Sequence, residues 1–180
     1  MKARTILTAL IASLAVASSA HAGDPRDGYP EPDDSTIEVP SSLGGVEIGD
    51  NLQDANRAWG LKDRCSRGIC SYGSFSGRQG AARIVREDGG VSIVQIHAGQ
   101  GDDPKDDVFE GPLMQFRTTV GDIGLGSKLS DVRKAFPDAE PTPGVGRGFQ
   151  VEGKGTQVMT FQGWTSRKRV VEIVLRAKPE

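Results

Sequence analysis

His97, the cysteine pair Cys65 and Cys70, and scattered carboxylates are the residues of this chain that could do chemistry. His21 lies in an apolar N-terminal stretch, so His97 is the one imidazole in the body of the chain. A zinc site built on two or three histidines is therefore not available. A serine–histidine–acid triad would have to use His97, which ends the strand-like run "VSIVQIHA". That position reads more simply as a polar residue on an open strand face, and no G-x-S-x-G elbow accompanies it. Cys65 and Cys70 stand in "DRCSRGICSY" with four residues between them, not the two of a redox C-x-x-C. The run "GDDPKDDVFEG" gathers Asp102, Asp103, Asp106, Asp107 and Glu110, a composition calcium favours. Its spacing is not that of an EF-hand, and Pro104 and Lys105 interrupt it, so a solvated linker is the plainer reading. "GVGRGF" and "GDIGLGS" match neither G-x-G-x-x-G after a strand nor a P-loop. The carboxylates fall in no recognisable glycosidase frame. The expectation is a protein with no catalytic residue, no cofactor and no metal.

The elements that would position such residues are legible in their periods. Residues 45–100 and 122–180 each carry near their start a glycine followed by a short amphipathic phrase: "EIGDNLQDANRAWG" and "GLGSKLSDVRKAFP". At one offset of 77 residues Gly49 matches Gly126, Leu52 Leu129, Asp54 Asp131, Ala58 Ala135 and Trp59 Phe136. Similarity at a fixed offset predicts an internal repeat. Leu52, Ala55 and Trp59, like Leu129, Val132 and Phe136, follow i, i+3, i+7 spacing, which puts each trio on one helical face. Asp50 and Ser127 stand where N-caps are expected, and Gly60 and Pro137 where the helices should end.

The period then changes to two. "GICSYGSF", "AARIVRED" and "VSIVQIHA" predict three strands, with Asp-Gly turning the last hairpin. "GFQVEG", "TQVMTFQG" and "RVVEIVLRA" predict three more. Val94 and Ile96, with Val171, Ile173 and Leu175, would face the helices, and Ile93, Gln95 and His97, with Glu172, Val174 and Arg176, would face away. The predicted fold is α+β: two tandem helix-plus-three-strand repeats forming one antiparallel sheet backed by short helices. Residues 101–121 read as an acidic linker, with "GPLMQFRTTVGDIG" offering a further strand.

Residues 1–22 read as a secretory signal peptide: Lys2 and Arg4, an apolar run from Ile6 to Val16, and Ala20-His21-Ala22 as cleavage site. The apolar run is shorter than the ~20 residues a membrane span needs, so no membrane insertion is expected after cleavage. Residues 23–44, with Pro25, Pro30, Pro32 and Pro40, read as a flexible linker, within which Thr36–Val39 could form a short strand. The chain carries 22 basic and 24 acidic residues; without Lys2 and Arg4 the formal charge is −4. A weakly acidic chain is not expected to bind nucleic acid. Export, to the periplasm in a Gram-negative host, exposes both cysteines to oxidants, so Cys65 and Cys70 are expected to form a disulfide.

The phrase "GLGSKLSDVRKAFP" resembles the glycine-then-helix motif of the beta-lactamase inhibitory protein family, and a similar phrase occurs in BamE-type outer-membrane assembly lipoproteins. The resemblance spans Gly45 to about Arg176. It implies one long curved antiparallel sheet backed by helices, and a short disulfide after a repeat's helix, where Cys65 and Cys70 fall. The second copy has no such pair, which departs from the pattern. By analogy with the inhibitory family, the partner would be another protein, an envelope enzyme or a toxin, occluded by the sheet face. The residues expected to bind it are Tyr72, Phe75, Arg83, Gln95, His97, Trp164 and Arg176, arginines and aromatics being typical of interface anchors. Trp164 falls in "QGWTSRKRV", a hairpin loop where it either meets a partner or folds back onto the core. Two other functions fit the sequence less well: a structural envelope-assembly module, for which no lipidated cysteine is present, and a small hydrolase using His97 or a carboxylate pair.

Overall fold

The six runs of period-two alternation fold as strands, and the two amphipathic phrases as helices. The structure is a computed structural model that describes residues 34–60, 65–73, 78, 80–100, 107–142, 147–153, 157–163 and 168–178. The first of these residues give β1 (Thr36–Glu38), β2 (Ser42–Leu43), β3 (Val46–Glu47) and α1 (Leu52–Ala58). They are followed by β4 (Cys65–Ser66), β5 (Ile69–Gly73), β6 (Ala81–Glu87) and β7 (Gly90–His97). A pair of short strands, β8 (Gly99–Gln100) and β9 (Asp107–Val108), precedes a 3-10 turn at Pro112–Gln115 and β10 (Arg117–Thr118). The chain continues with α2 (Leu129–Ala135), β11 (Glu140–Pro141), β12 (Arg147–Glu152), β13 (Gln157–Gly163) and β14 (Val170–Ala177). The fold is α+β and mostly β.

Eight strands form one antiparallel sheet in the order β11-β12-β13-β14-β7-β6-β5-β4. The pairing of β7 with β14 joins the two sets of strands at its centre, with Ile96 opposite Ile173. Helix α1 packs against β6 and β7, and α2 against β12 and β13. Asp88 and Gly89, both at positive φ, turn the β6–β7 hairpin as its Asp-Gly predicts. A smaller sheet, β10-β1-β2-β3, lies beside the large one, with β1 and β10 parallel.

The core lies between the large sheet, the helices and this small sheet. Trp59 is fully buried, 5.6 Å from the Tyr72 ring and 5.8 Å from Phe116, and its indole Nε1 donates to Gly44 O at 3.2 Å. A buried tryptophan needs a partner for that N–H, and the glycine turn before β3 supplies it. Phe136 is only half-buried and stacks on Phe161 at 5.7 Å.

Two expectations are corrected here, on the linker and on the helix caps, and one is met. Residues 34–44 do not behave as linker: they carry β1 and β2 and bury Ile37 and Leu43 completely, apolar anchors that outweigh the prolines around them. Residues 23–33, like 1–22, lie outside the described residues. The further strand expected between the two halves is present as β10, and it belongs to the small sheet. Asp50 and Ser127 are not N-caps. Asp50 Oδ2 accepts from Glu47 N at 2.8 Å, and Ser127 Oγ accepts from Gly124 N at 3.0 Å, so both close the glycine turn before the helix. Asn51 caps α1 instead, accepting from Gln53 N, and Lys128 begins α2 without a side-chain cap.

The repeated glycines have one job in both halves. Gly49 and Gly126 adopt φ of 95° and 82°, a region that favours glycine. Gly49 N donates to Val91 O and Gly126 N to Val170 O, both at 2.8 Å. Val91 N donates back to Asp50 O, and Val170 N to Ser127 O, again at 2.8 Å. Each turn is thereby clipped to the beginning of β7 or β14, which fixes where each helix leaves the sheet.

Candidate functional site

Alternation along the central strands decides which side chains share the face that carries no helix. On β7, Val94 and Ile96 are fully buried on the helix side, so Ile93, Gln95 and His97 project from the other. The β7–β14 register sets His97 opposite Glu172, Gln95 opposite Val174 and Ile93 opposite Arg176. The β6–β7 register sets Arg83 opposite Gln95 and Val85 opposite Ile93. Arg83, Gln95, His97 and Arg176 are thus brought together at the middle of the sheet, as the sequence predicts. Glu172 joins them. The sequence places it on this face but gives it no role, although its position opposite His97 follows from the same alternation.

Gln95 organises the cluster. It is 5% exposed, and its side-chain Nε2 donates to Glu172 Oε1. Gln95 Oε1 and Arg176 Nε are buried atoms with no hydrogen-bond partner among the described residues. Val85, Ile93 and Val174 are half-buried and supply apolar ground between the polar groups. Two guanidinium groups, an amide, an imidazole and a carboxylate on a flat apolar ground can both donate and accept hydrogen bonds. The cross-strand neighbours of His97 are Ala81 and Glu172, so no hydroxyl or thiol stands directly opposite it.

Tyr72 does not belong to this surface, which corrects the expected set. It has no exposed area and lies on the helix side of β5, where its hydroxyl donates to Asn56 Oδ1 at 2.5 Å. Burial pushes its phenol up to about 12. The physical reason is alternation: Tyr72 shares a face with Cys70, two residues back and fully buried, whereas Ser71 between them is exposed and lies opposite Arg83. Phe75 and Trp164 lie outside the described residues.

Cys65 and Cys70 form a disulfide. They face each other across the β4–β5 hairpin, with Cα atoms 4.0 Å apart, and the turn between them uses Arg67 and Gly68 at positive φ. The disulfide closes the edge of the sheet next to the exposed Ser71. Of the acidic run, Asp102, Asp103 and Asp106 lie outside the described residues; Glu110 faces Arg78 at 3.6 Å. Among the described residues no group of three or more His, Cys, Asp or Glu side chains is placed to hold a metal ion. None of the described helices is long and apolar enough to cross a membrane.

No protein-family model matches the chain, and no curated protein matches its sequence significantly. Similar solved structures include a DUF4309 family protein (YjgB) from Bacillus subtilis, at 15% identity and a TM-score of 0.44, covering 77% of this chain and 86% of that one. An extracellular protein containing an SCP domain from Bacillus anthracis matches at 13% identity and a TM-score of 0.44, over 72% of this chain and 44% of that one. A cysteine-rich secretory protein (SAV1118) from Staphylococcus aureus matches at 9% identity and a TM-score of 0.40, over 79% of this chain and 50% of that one. At these scores the likenesses lend this chain neither a family nor an activity.

Proposed function

We propose that this chain is an exported protein-binding module, built from two copies of a helix-plus-three-strand unit, that occludes an envelope enzyme or a toxin with its helix-free sheet face. The observation that carries the reading is the division of the large sheet. One face is committed to α1, α2 and the core. The other gathers Arg83, Gln95, His97, Glu172 and Arg176 around Val85, Ile93 and Val174. Arginine anchors on partly apolar ground are the composition of interface centres. A sheet also presents them in a fixed spacing, so little conformational freedom is lost on docking.

Duplication is supported by the register. A twofold relation between units 77 residues apart requires some residue to face its own counterpart, and Ile96 is opposite Ile173. The same relation carries His97–Glu172 onto Val174–Gln95, the pair on the other side of Ile96–Ile173 in the ladder. The matched turns at Gly49 and Gly126 point the same way. Export is supported by the pattern of residues 1–22 and by the Cys65–Cys70 disulfide, since such bonds persist in oxidising compartments. The likeness of Gly124–Pro137 to the inhibitory family's phrase supports occlusion as the mode of action.

Affinity enrichment from host envelope extract tests the proposal, with Arg83→Glu/Arg176→Glu run in parallel. The expected outcome is one envelope protein retained by the parent and lost by the variant, which then forms a 1:1 complex with purified parent in solution. Retention of the same proteins by parent and variant would overturn it.

A further inference from the structure

A groove of about 700 Å³ lies between α2, β11 and the beginning of β12, away from the helix-free face. Its apolar ground is Leu129, Pro141 and Phe149. Its rim carries Lys128, Arg133, Arg147 and Lys168, all exposed. None of the four has an ion-pair partner among the described residues; Lys134, also on the lining, faces Asp131 at 3.4 Å. Among the described residues the lining contains no acidic one, although the chain as a whole has more acids than bases and a net charge of −2. The cations come from three separate segments, so only the fold collects them. Gathering like charges is unfavourable unless an anion offsets their repulsion. Thr142 adds a hydroxyl to the lining, buried and without a hydrogen-bond partner among the described residues. The volume is in the range that encloses small organic ligands, and far below what a folded partner would need.

We propose that this groove binds a small amphipathic anion: an apolar body that covers Leu129 and Phe149, with a carboxylate, sulfonate or phosphate-ester head held by the rim. The charge complementarity decides the occupant. A neutral apolar ligand would leave four cations uncompensated, and a bare inorganic anion would leave the apolar ground wet. The groove and the helix-free face share no residue, so this proposal stands or falls separately from the capture of a protein.

The test uses the purified chain, the fluorescent sulfonate anilinonaphthalene sulfonate as probe, and dodecanoate as competitor. The expected result is saturable, blue-shifted fluorescence at one probe per chain. Dodecanoate displaces it, whereas dodecanol and inorganic phosphate at the same concentration do not. Arg133→Glu/Lys168→Glu changes only exposed side chains, so the fold is expected to persist, and probe affinity should fall at least about tenfold, in line with two lost charge-assisted contacts. Gln53→Glu, on the exposed side of α1, should leave affinity unchanged. The absence of saturable binding, equal displacement by dodecanol or by inorganic phosphate, or unaltered affinity in the double variant would each overturn the proposal.

Discussion

The surroundings of α1 are closed and those of α2 are open, although both are seven-residue helices that follow a glycine turn clipped to the sheet. At positions 77 apart, Asn56 corresponds to Arg133, Trp59 to Phe136 and Tyr72 to Phe149. Around α1 the Tyr72 hydroxyl reaches Asn56, the ring packs on Trp59, and both aromatics are fully buried. Around α2 Phe149 has no hydroxyl to offer and lines the cationic groove, Arg133 is exposed on its rim, and Phe136 is half-buried against Phe161. The glycine turns clip both helices to the sheet with the same hydrogen bonds, so the difference lies in side-chain choice. Both helices enter the core, α2 through Leu129 and Val132, but only α2 has a groove beside it.

The largest effect that would sharpen this contrast is the loss of Trp59. Trp59→Ala should cost about 3–5 kcal/mol in urea unfolding, because the buried indole cannot be replaced by relaxation around it. Phe136→Ala removes a half-exposed ring and should cost less than half as much. Equal costs would break the comparison.

The closed half should also show itself at alkaline pH. The Tyr72 phenol is raised to about 12 by burial, so between its ordinary value of 10 and 12 the folded chain holds a proton that the unfolded chain has lost. Its contribution is complete below pH 10 and declines by about 1.4 kcal/mol per pH unit up to pH 12. Tyr72→Phe should cost about 1 kcal/mol at pH 7 through the lost hydrogen bond to Asn56, and its stability should decline less steeply above pH 10. Parallel unfolding curves at pH 7, 9.5 and 11 give the comparison; parallel alkaline declines would place Tyr72 in solvent.

Reduction of Cys65–Cys70 should destabilise the first half by about 2 kcal/mol, the modest amount expected for so short a loop. Hydrogen exchange should then rise in β4 and β5 and remain unchanged in β11 and β12. The smallest effect separates the two clipping turns. Gly49→Ala and Gly126→Ala both incur positive-φ strain of about 1 kcal/mol. An added Cβ at Gly49 meets nothing within 4 Å, whereas at Gly126 it meets Phe109 at 3.2 Å and Met114 at 3.3 Å. Gly126→Ala should therefore be the more costly of the two in thermal unfolding.

Much of this architecture is legible in the sequence, for reasons that particular residues make plain. Val94, Ile96, Ile173 and Leu175 alternate with Gln95, His97, Glu172 and Arg176, so the faces of β7 and β14 follow from period, with Ile93 and Val174 as the apolar members of the open face. The meeting of Arg83, Gln95, His97 and Arg176 follows from the same pattern once the strands are paired. The residue type of Tyr72 suits an interface, but its alternation with Cys70 and Ser71 puts it on the buried side. Asp50 and Ser127 have the residue types of N-caps, but a turn that must bond to the adjoining strand claims their oxygens first. The short strand suggested at Thr36–Val39 is β1, but the complete burial of Ile37 and Leu43 is not legible, since two isolated apolar residues among prolines carry no period. The groove was not legible at all: Lys128, Arg133, Arg147 and Lys168 are separated by turns and strands, and only tertiary packing brings them together.

The central claim, that the helix-free face captures a protein, is tested most directly by site-specific cross-linking in the living host. A benzophenone amino acid replaces Ser71, exposed beside Arg83 on that face, or Gln53, exposed on α1. The account predicts a covalent adduct with one envelope protein from position 71, none from position 53, and loss of the adduct when Arg83→Glu/Arg176→Glu is added. No adduct from position 71, or an adduct indifferent to those arginines, would contradict it.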